Sequence, residues 1–454
     1  MREDAVRQRL TSHMLTRRSL LKAGGMAVVA AATARLLPLR QGGLVGAAAA
    51  DPVHKDIHLA ASDGWIFLPG TAIENGITYG PDPAARSPQT TYAFGFRDVT
   101  GMTGQQVLNQ KNRTQASAPL IWADEMDELR ITLTNLGLAV RPDLTDSHSI
   151  HFHGFRNAIP LYDGVPEMSI AVPIGRDFTY FYRPGDPGSY MYHCHFEDVE
   201  HVSMGMTGIV FVRPAQNKSG VGADPDTVAR VSGGPSNAPM GYVYNDGVAP
   251  TDPNSTAYDR EFGMFLSEVW AQERFRDAHI QENDWSEYEP DYWLLNGRVY
   301  PDTLAPSGGG SNVDGDLIAP AGHPELQYQP ITSLVQANSG DRVLLRFVNL
   351  GYQQQAMTLE GIPLRVVGKD ATLLRGRDGT FNPYLTDTVY VGPGESVDAI
   401  FKAPPKSGTG YDTYLLYNRK LGYLHNAGSS SLGGQATEVR IFGSGIPPQT
   451  VPQT

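Results

Sequence analysis

The chain has 454 residues, 19% of them charged and 41% hydrophobic, a balance that fits neither a disordered polymer nor a membrane-embedded bundle. Its length suggests two sizeable domains. The formal net charge is −12, and setting aside residues 1–50 leaves 28 basic against 46 acidic side chains, or −18. So acidic a surface repels phosphate backbones and anionic lipid, and nucleic acid is not an expected partner.

The first element in chain order is a leader. Thr16-Arg-Arg-Ser-Leu-Leu-Lys22 precedes a small apolar run, Ala23 to Ala34, which is too short to span a bilayer. The segment resembles a twin-arginine translocation signal, so residues 1–50 are expected to direct export to the periplasm or the medium, leaving no membrane span in the mature protein. Beyond it, 49 glycines and 33 prolines punctuate short apolar segments, which suits an all-β protein without long helices.

The next informative segment is His148-Ser-Ile-His151-Phe-His153-Gly154. His151 and His153 flank Phe152 at the period of a strand, which sends both imidazoles to one face. Further on, Tyr190-Met-Tyr-His-Cys-His195 reads as a second strand, with His193 and His195 on one side and Cys194 on the other. His201 and Met206 follow. Cys194 is the sole cysteine, so no intrachain disulfide forms, and these two segments with His201 hold six of the twelve histidines.

Two imidazoles, a thiolate and a weak axial thioether make a blue copper centre, and His148, Cys194, His201 and Met206 supply that set. Met204 competes for the axial position, and zinc held by two His and one Cys is the other reading of these donors. Calcium and magnesium, which want oxygen ligands, do not fit.

A stretch rich in Pro, Gly and Asn over residues 215–257 reads as linker and surface loops. It separates a first domain, 51–214, from a second, 258–454. In the latter, Gly340-Asp-Arg342 and Pro393-Gly-Glu395 are turn chemistry between apolar strands.

The two histidine segments resemble the copper motifs of multicopper oxidases, a family related to laccases and to two-domain copper nitrite reductases. Leu120 to Asn135, Tyr162-Asp-Gly-Val-Pro-Glu-Met-Ser-Ile170, Pro187-Gly-Ser-Tyr-Met-Tyr-His193, Phe262 to Glu268, Asp291 to Gly297, Ser339 to Asn349 and Val391 to Val397 extend the resemblance over most of the chain. It implies two cupredoxin-like Greek-key β-sandwich domains. It also implies type 1 copper at His148, Cys194, His201 and Met206, and type 2 and type 3 copper at His151, His153, His193 and His195. The implied activity is oxidation of a small-molecule or metal-ion donor with reduction of oxygen, in a homotrimer.

The second domain departs from the pattern. Gln353 to Gly361 holds no histidine, Arg419 stands where a nitrite reductase-like protein would carry a type 2 ligand, and Arg cannot serve as one. Only His323 and His425 remain as isolated candidates beyond residue 300. Two other readings follow: a nitrite reductase-like enzyme using His153 and His193, and a non-enzymatic copper electron carrier.

Overall fold

A computed structural model describes residues 54–156, 158–217 and 241–453; the leader and most of the 215–257 segment lie outside the described residues. Period-2 alternation builds the first half. In β6 (Glu128–Asn135), Leu129, Ile131 and Leu133 point inward while the residues between them are half-buried or exposed. One sheet places β4 (Thr91–Asp98), β1 (His54–Ile66), β6 and β8 (Asp177–Tyr182) side by side. The facing sheet has the order β5 (Ile121–Asp124), β10 (Thr207–Arg213), β9 (Gly188–His193) and β7 (His151–His153). The Leu120–Asn135 segment is therefore strand–turn–strand, as expected, with its turn passing from one sheet to the other. A small ribbon, β2 (Ile73–Glu74) and β3 (Ile77–Thr78), stands apart.

A core of aromatic and aliphatic side chains fills the space between the sheets and includes Tyr92, Phe94, Phe152, Tyr180, Tyr192, Cys194, Met204 and Met206.

In the second half, one sheet has the order β14 (Tyr292–Leu295), β13 (Arg260–Val269), β16 (Arg342–Asn349), β22 (Ser396–Lys402), β18 (Leu364–Lys369) and β19 (Thr372–Leu373), with β20 (Tyr384–Thr386) also on β18. The other has the order β15 (Val335–Asn338), β24 (Ala436–Phe442), β23 (Tyr411–Asn418), β17 (Gln355–Leu359) and β21 (Thr388–Val391). A separate core lies between them. Helices are short: α1 (Gly104–Leu108), α2 (Asp198–Met204) and α3 (Ala271–Ala278). None of the described helices is long and apolar enough to cross a membrane. The Pro393-Gly-Glu395 turn joins β21 to β22 as expected.

Part of the segment read as linker is ordered. β11 (Gly241–Tyr242) pairs with β12 (Ala257–Tyr258), and Val243, Tyr244 and Tyr258 pack on Leu344, Val367 and Ile400. Apolar residues in a polar-looking stretch find a sheet face to cover.

The halves meet through β13, which is buried on both faces. Phe262, Met264 and Leu266 enter the second core, while Phe265 packs on Met191, Ile209 and Phe211 of the first half. Beside this contact lies a buried ion network. Glu261 accepts from Arg213 and, at 3.0 Å, from Arg346 Nε, while Asp398 accepts from Ser189 Oγ at 2.5 Å and Tyr244 Oη at 2.6 Å. Burial alone would raise the Glu261 carboxyl, but the two guanidinium groups outweigh it and hold it below the usual range.

Removing one member leaves uncompensated buried charge, so Arg346→Met should cost about 3–5 kcal/mol in urea unfolding. Because Glu261 is depressed in the folded state, its contribution is full above the unfolded value of about 4.3 and is lost as pH falls through the lower folded value. The wild type should therefore lose more stability than Glu261→Gln on acidification, read as converging urea midpoints.

Candidate metal centre

Pairing of β7 with β9 sets His151 opposite His193 and His153 opposite Met191. This register gathers four imidazoles. His151 lies 5.2 Å from His193 and 5.0 Å from His195 by ring centroids, and His153 lies 5.9 Å from His193. Donor atoms of His151, His153 and His193 all fall within 4.8 Å of one another. β9 itself ends at His193, two residues short of the expected strand, yet His193 and His195 still stack at 5.5 Å.

The tautomers of two rings follow from their partners. His151 Nδ1 donates to the Asp163 carbonyl at 2.7 Å and His193 Nδ1 to the Cys194 carbonyl at 2.8 Å. A carbonyl only accepts, so the proton sits on Nδ1 and the Nε2 lone pair is left for a metal. Burial pushes the His193 imidazole down to about 3 and lowers His151 and His153, which keeps these rings neutral. Gly164, at φ +81°, lets the loop carrying Asp163 close on Ile150, because a Cβ there would strike the Ile150 carbonyl.

Cys194 faces the other way, fully buried. Its Sγ lies 3.2 Å from His201 Nδ1 and 3.9 Å from His148 Nδ1, and accepts from the Ser149 N–H at 3.4 Å. The His148, Cys194 and His201 donors form a second group within 4.8 Å, and both imidazoles are fully buried. Met206 is tied to this group by its main chain: its N–H donates to the His201 carbonyl at 2.9 Å and its carbonyl accepts from Cys194 N at 3.1 Å. Met204 and Met206 both lie in the core cluster with Cys194.

Burial and the nearby His201 push His148 well down. For His201, burial is outweighed by Asp146 and Cys194, which lift it to about 10, so a metal must displace a proton there. Two nitrogens and a sulfur without a carboxylate are a donor set that fits copper.

Three contributors escaped the sequence reading. Ser149 links the two groups, since its Oγ also accepts from His195 N at 3.0 Å. Asp146 lies 3.6 Å from His201 Nε2, forming with Glu197 and His201 a third cluster of donor atoms. Glu268, 5% exposed, accepts the N–H groups of Tyr352 and Gln353. None shows a spacing signal, because each acts from a distant point in the chain or through its main chain.

The second half closes one side of the four-histidine group with main chain and apolar side chains. A pocket of about 280 Å³ is lined by His153, His193 and His195 and, opposite, by Leu350, Gly351, Tyr352, Pro393 and Gly394. His323 bonds Glu325 at 2.9 Å and His425 packs by Trp293, so neither joins the described donor groups. Arg419 is more than half exposed and lies 3.9 Å from Asp387.

Residues 98–217 match the family model described as multicopper oxidase. Laccase abr2 of Aspergillus fumigatus is 36% identical over 106 residues, 23% of this chain and 16% of that protein. Laccase-3 of Botryotinia fuckeliana is 21% identical over 294 residues, 64% of this chain and 49% of that protein. The chain thus spans half or less of the length of these curated relatives. Among solved structures, the blue copper oxidase of Nitrosomonas europaea superposes with a TM-score of 0.55 at 20% identity, covering 86% of each chain. Residues 98–217 are therefore similar to a multicopper oxidase domain, and the chain has a cupredoxin-like β-sandwich fold.

Proposed function

We propose that this protein is an exported copper-dependent oxidase that takes single electrons from an external donor and reduces oxygen at the four-histidine group. The observation that carries the reading is the position of Cys194, whose sulfur faces His148 and His201 while its chain neighbours His193 and His195 belong to the other group. Copper held at these donors would supply one-electron exchange with donor and oxygen. His148, Cys194, His201 and Met206 would be the type 1 ligands, and His151, His153, His193 and His195 would serve type 2 and type 3 copper.

The chain's own residues do the rest. Ser149 holds the sulfur through its N–H and His195 through its hydroxyl, fixing the spacing of the two groups. With copper held at the sulfur, the Cys194 backbone would offer the shortest covalent path for electrons to either flanking imidazole. The donor is a small molecule such as a phenol, or a metal ion, and the assembly is a homotrimer. Export follows the twin-arginine route.

A second reading, a copper electron carrier without oxidase activity, is favoured by the pocket wall at Leu350–Tyr352 and Pro393–Gly394, which adds no imidazole among the described residues.

Cys194→Ser should abolish the intense blue absorption of the copper-loaded protein while circular dichroism stays that of a β-sandwich. A colourless wild type, copper-saturated and oxidised, overturns the type 1 assignment. His153→Ala should abolish oxygen uptake with a phenolic donor and keep the blue band; full uptake in that variant, or a wild type holding one copper per chain, favours the carrier. Changing Arg17 and Arg18 together to Lys should trap precursor in the cytoplasm, and normal export of that variant rules out the twin-arginine route.

A further inference from the structure

Both imidazoles of the Cys194 group are fully buried, so a donor in solution touches neither ring. The second half of the chain offers partly exposed rings close to the other group. Trp285 lies 6.0 Å from Tyr288 and 6.4 Å from Tyr352 by ring centroids, and Tyr288 lies 5.5 Å from Tyr352. All three are part-buried, and the fully buried Trp270 backs Trp285 and Tyr288 at 5.9 and 5.6 Å. Tyr352 lines the pocket that holds His153, His193 and His195. Its hydroxyl donates to the Val199 carbonyl at 2.5 Å, on the α2 segment between Cys194 and Met206.

Packing explains such a cluster, but not the carboxylate built into it. Glu268 Oε1 accepts from the Tyr288 hydroxyl at 3.2 Å and from the N–H groups of Tyr352 and Gln353. Its other oxygen lies against Gly351, where any Cβ would collide with it. A phenol loses an electron readily only when its proton can leave along a hydrogen bond to a base. Tyr288 has that base. Tyr352, bonded to a carbonyl, does not, so the oxidised state rests on Tyr288.

We propose that Trp285, Tyr288 and Tyr352 form a second route for single electrons, beside the one through Cys194, between an external donor and the histidine pocket, with Glu268 taking the phenolic proton of Tyr288. In the oxidising step an electron leaves Tyr288 for a one-electron oxidant at the histidines, and the phenolic proton moves to the Glu268 carboxylate. The products are a neutral tyrosyl radical and a glutamic acid. In the return step an external one-electron reductant delivers an electron through Trp285, and the proton goes back from Glu268 to Tyr288. Burial raises Glu268 to about 7, opposed by the N–H groups that bind it, which suits a carboxylate that takes and returns a proton near neutrality.

The relay rests on the proposed copper reading only for the identity of the oxidant, so the test supplies another. Asp198 is exposed and lines the same pocket, while Cys194 is fully buried, so Asp198→Cys gives one accessible thiol for a ruthenium polypyridyl photosensitiser. Flash oxidation of that labelled protein, without copper, should produce a tyrosyl radical seen by transient absorption and electron paramagnetic resonance. Adding Tyr288→Phe should remove the signal. Glu268→Gln should also remove it, and the exposed Tyr384→Phe should leave it intact. An undiminished radical in Tyr288→Phe, or none in the labelled parent, overturns the relay. Failure of the copper reading shows separately, as absent blue absorption in the unlabelled protein.

Discussion

Side chains of successive residues in an extended chain point to opposite faces, and both candidate metal groups depend on that constraint at residues 193–195. Cys194 is directed into the core while His193 and His195 turn to the pocket, so the two groups are linked by single peptide bonds. The pairing of β9 with β10 on one side and β7 on the other fixes the orientation. A shift of one residue would exchange the roles of sulfur and imidazole. Ser149 repeats the device on the neighbouring segment, holding the sulfur with its main chain and the His195 main chain with its hydroxyl.

The second half of the chain contributes no imidazole to the described donor groups, yet the first half leans on it. α3 grips the segment that carries His201: Glu273 accepts from Ser203 Oγ at 2.5 Å, and Arg274 donates to the Ser203 carbonyl at 2.7 Å and the Tyr92 carbonyl at 2.9 Å. Arg141, near the start of the His148 segment, donates to Asp277 Oδ1 at 2.5 Å. Burial drives the Glu273 carboxyl up to about 8 against the Ser203 hydroxyl and Arg274. The gripping face therefore carries buried polar groups with few partners to spare.

The same architecture decides what reaches the four-histidine group. Main chain at Gly394 allows a close approach, since a Cβ there would come within 3.1 Å of His153 Nε2, while Gly351 leaves room for the Glu268 carboxylate. Where the pocket wall has no imidazole it has an aromatic ring, Tyr352, and behind it a carboxylate. The second sandwich thus shapes access to the group and its surroundings.

Local chemistry made much of this legible. Alternating histidines and a lone cysteine between two of them put Cys194 on the face opposite His193 and His195, because strand periodicity acts over adjacent residues, whereas His201 on α2 and Met206 beyond it lay outside that reach. The all-β class was legible from turn residues at short intervals. The ribbon at residues 241–258 was not, since its apolar residues are few and only a distant sheet gives them a surface to cover. Nor were Ser149, Asp146 and Glu268, whose roles arise from contacts across tens of residues or more that leave no local spacing. The sequence by itself determined which donor atoms exist and which way they face. Only the tertiary structure decided their neighbours, because the hydrogen bonds and buried charges that hold them join segments far apart in the chain.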